Sequence, residues 1–214
     1  GGKLGSAFDV VQKGALIALG ALTAVGGAAL GAVAAAAADE ASQKSLEAQL
    51  IRSAGATNAQ VAATEAFIEQ AMLATGIADD ELRPAFGNLA RATGDLEKSQ
   101  RLFTLALDIS ASTGRDLEAV TLGLGRAATG NIGALTRLGI PLDENTKKTK
   151  DFGAALLTLE QQFGGAAAVA ADTFSGRVKI LKTSLGEVVE EIGFALLPTA
   201  ERLVEFLQKR LLPA

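Results

Sequence analysis

Gly14 to Ala38 (GALIALGALTAVGGAALGAVAAAAA) carries no charge, and Thr23 is its sole polar side chain. No other stretch restricts the chain so strongly. As a helix it would be roughly 37 Å long at about 1.5 Å per residue, enough to cross a hydrocarbon core of about 30 Å. Its composition is less emphatic than its length. Leu16, Ile17, Leu19, Leu22, Val25, Leu30 and Val33 each favour insertion by about 0.3 to 0.6 kcal/mol near the helix centre, whereas alanine and glycine add almost nothing. The small residues suit another purpose. Gly27 and Gly31 form a GxxxG, and Gly14 with Ala18 a small-xxx-small pair, which lets a second helix backbone come close. Two uses follow: a buried alanine-rich helix in a soluble assembly, or insertion into a membrane. A signal peptide is not expected, because the run is too long and continues directly into Asp39 and Glu40.

Elsewhere helix signals dominate, and β-branched residues never alternate with polar ones over a strand's length, so an all-α fold is expected. Ser6 can cap a helix running through the apolar stretch to about Ser53, with Gly55 as its stop. After Thr57 and Asn58, either of which can cap, comes a helix from Ala59 to Ala74. A punctuation then recurs: Ala74-Thr75-Gly76, Ala92-Thr93-Gly94, Ser112-Thr113-Gly114 and Ala128-Thr129-Gly130. In each the glycine can take the left-handed conformation that ends a helix. Asp79 or Asp80, Asp95, Asp116 and Asn131 stand ready as caps, and Pro84 fits a first helical turn. The result is a cluster of short antiparallel helices over about Asp80 to Ala92, Leu96 to Thr113, Leu117 to Ala128 and Ile132 to Leu138. Their spacing is too irregular for a solenoid.

The polar stretch Glu144 to Asp151 reads as a solvated loop or an exposed helix start, followed by a helix from Phe152 to Phe163 and a hinge or stop at Gly164-Gly165. The final section is the most regular. Phe174, Val178, Leu181, Leu185, Val188, Ile192 and Ala195 alternate in steps of four and three, the seam of a coiled coil, which either self-associates or packs on the middle helices of its own chain. Pro198 is expected to break that helix. Four regions emerge: 1–55, a long Ala/Gly-rich apolar helix for oligomerisation or membrane insertion; 56–143, a bundle of short helices; 144–172, a polar loop and Ala-rich helical spacer; and 173–214, an amphipathic coiled-coil-like helix.

Half of the residues are apolar (49 %), yet they are mostly alanine, leucine and valine, with nine Phe as the only aromatics. Such a composition predicts a thin core and helices packed against copies of themselves. The absence of Cys and His removes thiol chemistry, disulfides and the commonest general base and metal ligand. A net charge of −4, with the 20 Lys and Arg scattered, argues against direct nucleic-acid recognition. A chain that does not begin with Met is expected to be a segment of a longer polypeptide or a processed product.

The residues from Leu105 to Asn145, LALDISASTGRDLEAVTLGLGRAATGNIGALTRLGIPLDEN, together with Asp172 to Pro198, DTFSGRVKILKTSLGEVVEEIGFALLP, resemble the tail tape measure proteins of long-tailed bacteriophages. The two motifs stand in the family's order and cover about a third of the chain. The resemblance implies a virion structural protein, mainly helical, which lies in the lumen of the tail tube near its tip and sets the tube's length. It also implies a homo-oligomer with contacts to tail tube and tail-tip (baseplate hub) proteins, and a role at the host cell envelope when the genome is delivered. Gly14 to Ala38 would serve that last step.

Catalysis is weighed and not expected. Asp79-Asp80-Glu81 and Glu187 with Glu190 and Glu191 offer paired carboxylates of the kind glycoside hydrolysis requires. The first group reads instead as the start of a helix, and the second as the solvent face of the heptad helix. Gly123-Leu124-Gly125 and Gly130-Asn131-Ile132-Gly133 lack the preceding strand of a phosphate-binding loop. No catalytic, cofactor-binding or metal-ligating residue is therefore assigned. The candidate functional residues are the oligomer interface Phe174, Val178, Leu181, Leu185, Val188 and Ile192, and the close-packing or membrane positions Gly14, Ala18, Gly27 and Gly31. The alternative function is that of a membrane-active, pore-forming helical protein with Gly14 to Ala38 as its inserting element.

Overall fold

The computed structural model describes residues 31–140, 142 and 144–211. Among them every regular element is a helix. Helix α1 covers 31–54. It is followed by α2 (Asn58–Thr75), α3 (Asp79–Thr93), α4 (Leu96–Thr113), α5 (Leu117–Ala128), α6 (Gly133–Arg137), α7 (Glu144–Thr149), α8 (Phe152–Phe163), α9 (Ala166–Ala171) and α10 (Phe174–Leu211). The chain forms two compact units. The larger is Ala41–Gly186, and the smaller is made by the described residues up to Glu40 and from Glu187 onward.

Helix boundaries in the larger unit follow local chemistry. Thr57 and Gln60 form a reciprocal capping box at the start of α2. Asp95, Asp116 and Asp151 each accept a backbone N–H from three residues on, at 3.0, 2.8 and 3.1 Å, and so begin α4, α5 and α8. Gly76, Gly94 and Gly114 close α2, α3 and α4 at φ near +65°. Each donates its N–H to the carbonyl four residues back, as the recurring glycine triplets predict.

Helix α3 departs from expectation. It begins at Asp79 after Ala78, which makes no side-chain cap. Asp79 is not the cap because its carboxylate is engaged elsewhere, 2.6 Å from Arg83 one turn on. The earlier start puts Pro84 in the second turn, so the exposed Asp80 carbonyl receives no N–H from it. Arg83 is buried and also reaches Glu65 of α2 at 3.0 Å, which ties α2 to α3. Asn131 likewise does not cap with its side chain: α6 starts after Ile132, and Ala134 donates to the Asn131 carbonyl.

A thin core is also corrected for this unit. Phe86 and Phe103 are fully buried together with Leu50, Ile68, Leu82, Leu89, Ile109, Leu117, Leu124, Leu135, Ile140 and Leu159. Phe67, Phe86 and Phe103, one each from α2, α3 and α4, meet edge to face with centroids 5.5 to 6.1 Å apart. Around this triad α3 packs on α4 and α5, and α4 on α5, α8 and α9. The glycines of α5 serve that packing. A Cβ on Gly125 would lie 2.9 Å from the Ala92 Cβ, and one on Gly123 would strike Leu138.

In the smaller unit, Ala32 and Ala36 are buried one turn apart on α1. Gly193 of α10 backs onto them: a Cβ there would run into the Ala32 carbonyl and sit 3.0 Å from the Ala36 Cβ. Helix α10 is assigned through Pro198 to Leu211, so the expected break at Pro198 does not occur. The proline removes only its own N–H from the ladder, leaving the Phe194 carbonyl without that partner.

Candidate functional site

The sequence singles out one face of α10, and two contacts explain how that face is presented, a turn at the start of the helix and an anchor on its opposite side. Thr173 accepts the Gly176 N–H at 3.0 Å, and Arg177 donates two hydrogen bonds to the Asp172 carbonyl at 3.1 and 2.8 Å, which fixes the turn into the helix. Thr183 then donates its hydroxyl to the Gly76 carbonyl at 2.8 Å. Gly76 lies so close to Ile180 that an added Cβ would be 2.7 Å from the Ile180 backbone nitrogen. Within the larger unit Ile180 and Thr183 therefore face Gly76; within the smaller, Gly193 faces Ala32.

The heptad residues take the other face. Val178 is 49 % exposed, Leu181 60 %, Leu185 59 %, Val188 51 % and Ile192 54 %. Val189, at the neighbouring e position, widens the same apolar surface. Surface helices normally turn their apolar stripe inward, and α3, α4 and α5 do so. Helix α10 instead keeps its stripe exposed while Ile180, Thr183 and Gly193 make the internal contacts. Exposed apolar surface of this kind makes α10 the candidate interaction site. Phe174 begins the helix at the same register.

Of the predicted close-packing positions, Gly14, Ala18 and Gly27 lie outside the described residues, as does most of Gly14 to Ala38. Gly31 is exposed, with nothing described within 4 Å of an added Cβ. Among the described residues no helix is long and apolar enough to cross a membrane.

Asp79 pairs with Arg83, and Asp80 and Glu81 are exposed; of the three glutamates expected on the solvent face of α10 only Glu191 is exposed, while Glu187 and Glu190 are half-buried. Gly123 and Gly125 lie within α5, and Gly130 to Gly133 form its turn into α6.

Sequence reasoning passed over two polar contacts that hold the support for α10. Asp108, buried on α4, accepts the N–H groups of Gly165 and Ala167 at 3.1 and 2.9 Å and so caps α9. Arg101 of α4 forms a forked pair with Glu160 of α8 at 2.6 and 2.8 Å. The hydrogen bonds from Arg101 hold the Glu160 carboxyl below its ordinary range, against a smaller opposing effect of burial. A single acidic residue inside the apolar string Leu105 to Ile109 was the available signal for Asp108. Compared with protein-family models, curated proteins and solved structures, the chain matches none.

Proposed function

We propose that this chain is a segment of a bacteriophage tail tape measure protein, a structural component that self-associates through α10. The reading places it in the lumen of the tail tube near the tip, where it contacts tube and tail-tip proteins and takes part in genome delivery through the host envelope. The observation that carries it is the exposed heptad face of α10. A chain with a well-filled core of its own has no internal use for that face, and a second helical chain is the surface that fits it. The two motifs that resemble the family, Leu105 to Asn145 and Asp172 to Pro198, supply the assignment to tails.

The test is made on assembled particles. Tails purified from the phage that encodes the chain are expected to contain it along the tube axis, and in-frame shortening of its gene is expected to shorten the tail seen by electron microscopy. Tails of unchanged length that lack the polypeptide would overturn the assignment.

A further inference from the structure

The charges on α10 are sorted along its length. Arg177, Lys179 and Lys182 accompany the first half of the seam, and Glu187, Glu190 and Glu191 the second. In heptad terms Val178, Leu185 and Ile192 occupy a positions and Leu181, Val188 and Ala195 d positions. Arg177 and Glu191 are then g residues, and Lys182 an e residue. Arg177, Lys182 and Glu191 are all exposed.

Orientation decides what those charges meet. In a parallel pair each g residue faces the e residue five positions on in the other helix. Arg177 would then confront the partner's Lys182 twice, a like-charge contact on both flanks. In an antiparallel pair a residues layer against d residues, Val178 on the partner's Val188 and Leu181 on the partner's Leu185. That register brings Arg177 to the partner's Glu191 at both ends. One unfavourable contact remains at the centre, between Lys182 and its own copy, where two long side chains can swing apart into solvent.

We infer that the free chain pairs with a second copy through antiparallel α10 helices, centred at the level of Thr183. The occupant of the exposed face is this same helix, reversed. The opposite side of α10 is already held by Gly76, so the pair forms without disturbing that contact, and Arg177 keeps N–H donors beyond the two it gives to the Asp172 carbonyl. The inference rests on the self-association part of the proposed function and not on its assignment to tails.

The chain has no cysteine, so single cysteines report the geometry directly. Val178→Cys and Val188→Cys replace half-exposed side chains and leave the core untouched. In the antiparallel register, Val178 of one chain lies ten residues along the axis from Val178 of the other, about 15 Å. A disulfide needs Cα atoms within about 7 Å. Under mild oxidation the full chain carrying either change alone should stay uncrosslinked, while an equal mixture of the two should give the mixed disulfide, resolved by intact mass. A Val178 homodisulfide would overturn the orientation, and a monomer by sedimentation equilibrium at high concentration would overturn pairing altogether. A charge swap gives an independent reading. Glu191→Arg, which leaves the hydrogen bonds from Arg177 to the Asp172 carbonyl intact, should weaken dimerisation by about tenfold, since two ion pairs become two repulsions; an unchanged dimer overturns the proposal. A mixed disulfide from a chain absent from tails would retain the pairing and remove only the tail assignment.

Discussion

Asp108 and Ala167 lie 59 residues apart in sequence, yet the carboxylate of one accepts the backbone N–H of the other at 2.9 Å. The second carboxylate oxygen takes the Gly165 N–H at 3.1 Å. Helix α9 is a run of alanines and one valine that buries none of its residues. A helix so short cannot sustain itself in water, and its own N-cap, Gly165, has no side chain to offer. A buried side chain from α4 performs the capping instead. Through α9 it also sets where α10 begins.

Asp108→Ala should therefore loosen α9 before it loosens the bundle. Losing a cap costs about 0.5 to 2 kcal/mol, and two backbone donors are left unsatisfied beside a buried position. Amide exchange at Gly165 and Ala167 is expected to accelerate well beyond that of α4 and α5. Urea unfolding should register a loss of about 1 to 2 kcal/mol. Unchanged exchange at those two amides would mean that the alanine contacts alone hold the helix.

The Arg101–Glu160 pair predicts an acid dependence. Hydrogen bonding to Arg101 depresses the Glu160 carboxyl below its ordinary value of 4.5, and the same contact raises Arg101 further. A depressed carboxyl contributes stability above its unfolded value and loses it as pH falls through the folded one. The raised Arg101 is charged in both states throughout that range, so it adds no slope. The stability difference between the parent and Glu160→Gln should be small and level at neutral pH, then shrink toward zero below the carboxyl's ordinary 4.5. The pair is exposed on the Arg101 side, so added salt should reduce the difference as well. Urea titrations at neutral and acid pH, with and without salt, read both effects.

Gly76 and Gly114 separate backbone conformation from packing. Both end helices at nearly the same φ, +65° and +67°. An added Cβ at Gly114 meets open space, whereas at Gly76 it lies 2.7 Å from the Ile180 nitrogen. Gly114→Ala should cost only the left-handed penalty of about 1 to 2 kcal/mol. Gly76→Ala should cost about 1 to 3 kcal/mol more, because α10 has to move away. Its second signature is faster amide exchange at Ile180 and Thr183, which Gly114→Ala should not produce. Equal losses in the two variants would deny the close approach.

Much of this was legible locally. The Thr-Gly triplets gave three helix ends because only glycine takes a positive φ cheaply, and that preference needs no tertiary context. The seam of α10 was legible as a period, and its register is kept in the helix. The depth of the core was not: alanine-rich composition hid that Phe67, Phe86 and Phe103 converge from three helices, a meeting fixed by packing and invisible to spacing. Asp79 was misplaced for a related reason. A cap is chosen locally, but Arg83 drew its carboxylate into a buried contact with Glu65 nearby. Proline rules erred twice, at Pro84 and Pro198, where a helix absorbs one missing donor because its neighbours on either side stay paired. Which face of α10 the body uses was beyond sequence reading altogether, since the contacts run through Gly76 and Thr183 and not through the apolar residues that the period selects.

Two glycines on that helix provide a final comparison. Gly193 is buried against Ala32, and Gly186 has open space around the position of a Cβ. Alanine favours a helix interior over glycine by about 0.8 to 1 kcal/mol, so Gly186→Ala should stabilise α10. At Gly193 the same gain is opposed by a Cβ driven into the Ala32 carbonyl, with the Ala36 methyl at 3.0 Å. Overpacking of that kind costs about 1 to 3 kcal/mol, which exceeds the propensity gain and reverses the sign. Amide exchange resolves the two units separately. Gly193→Ala should speed exchange over Ala32 to Ala36 while leaving the Phe67, Phe86 and Phe103 region protected, and Gly186→Ala should slow exchange in α10. A stabilising effect at both positions would mean that α1 and α10 do not meet at Ala32.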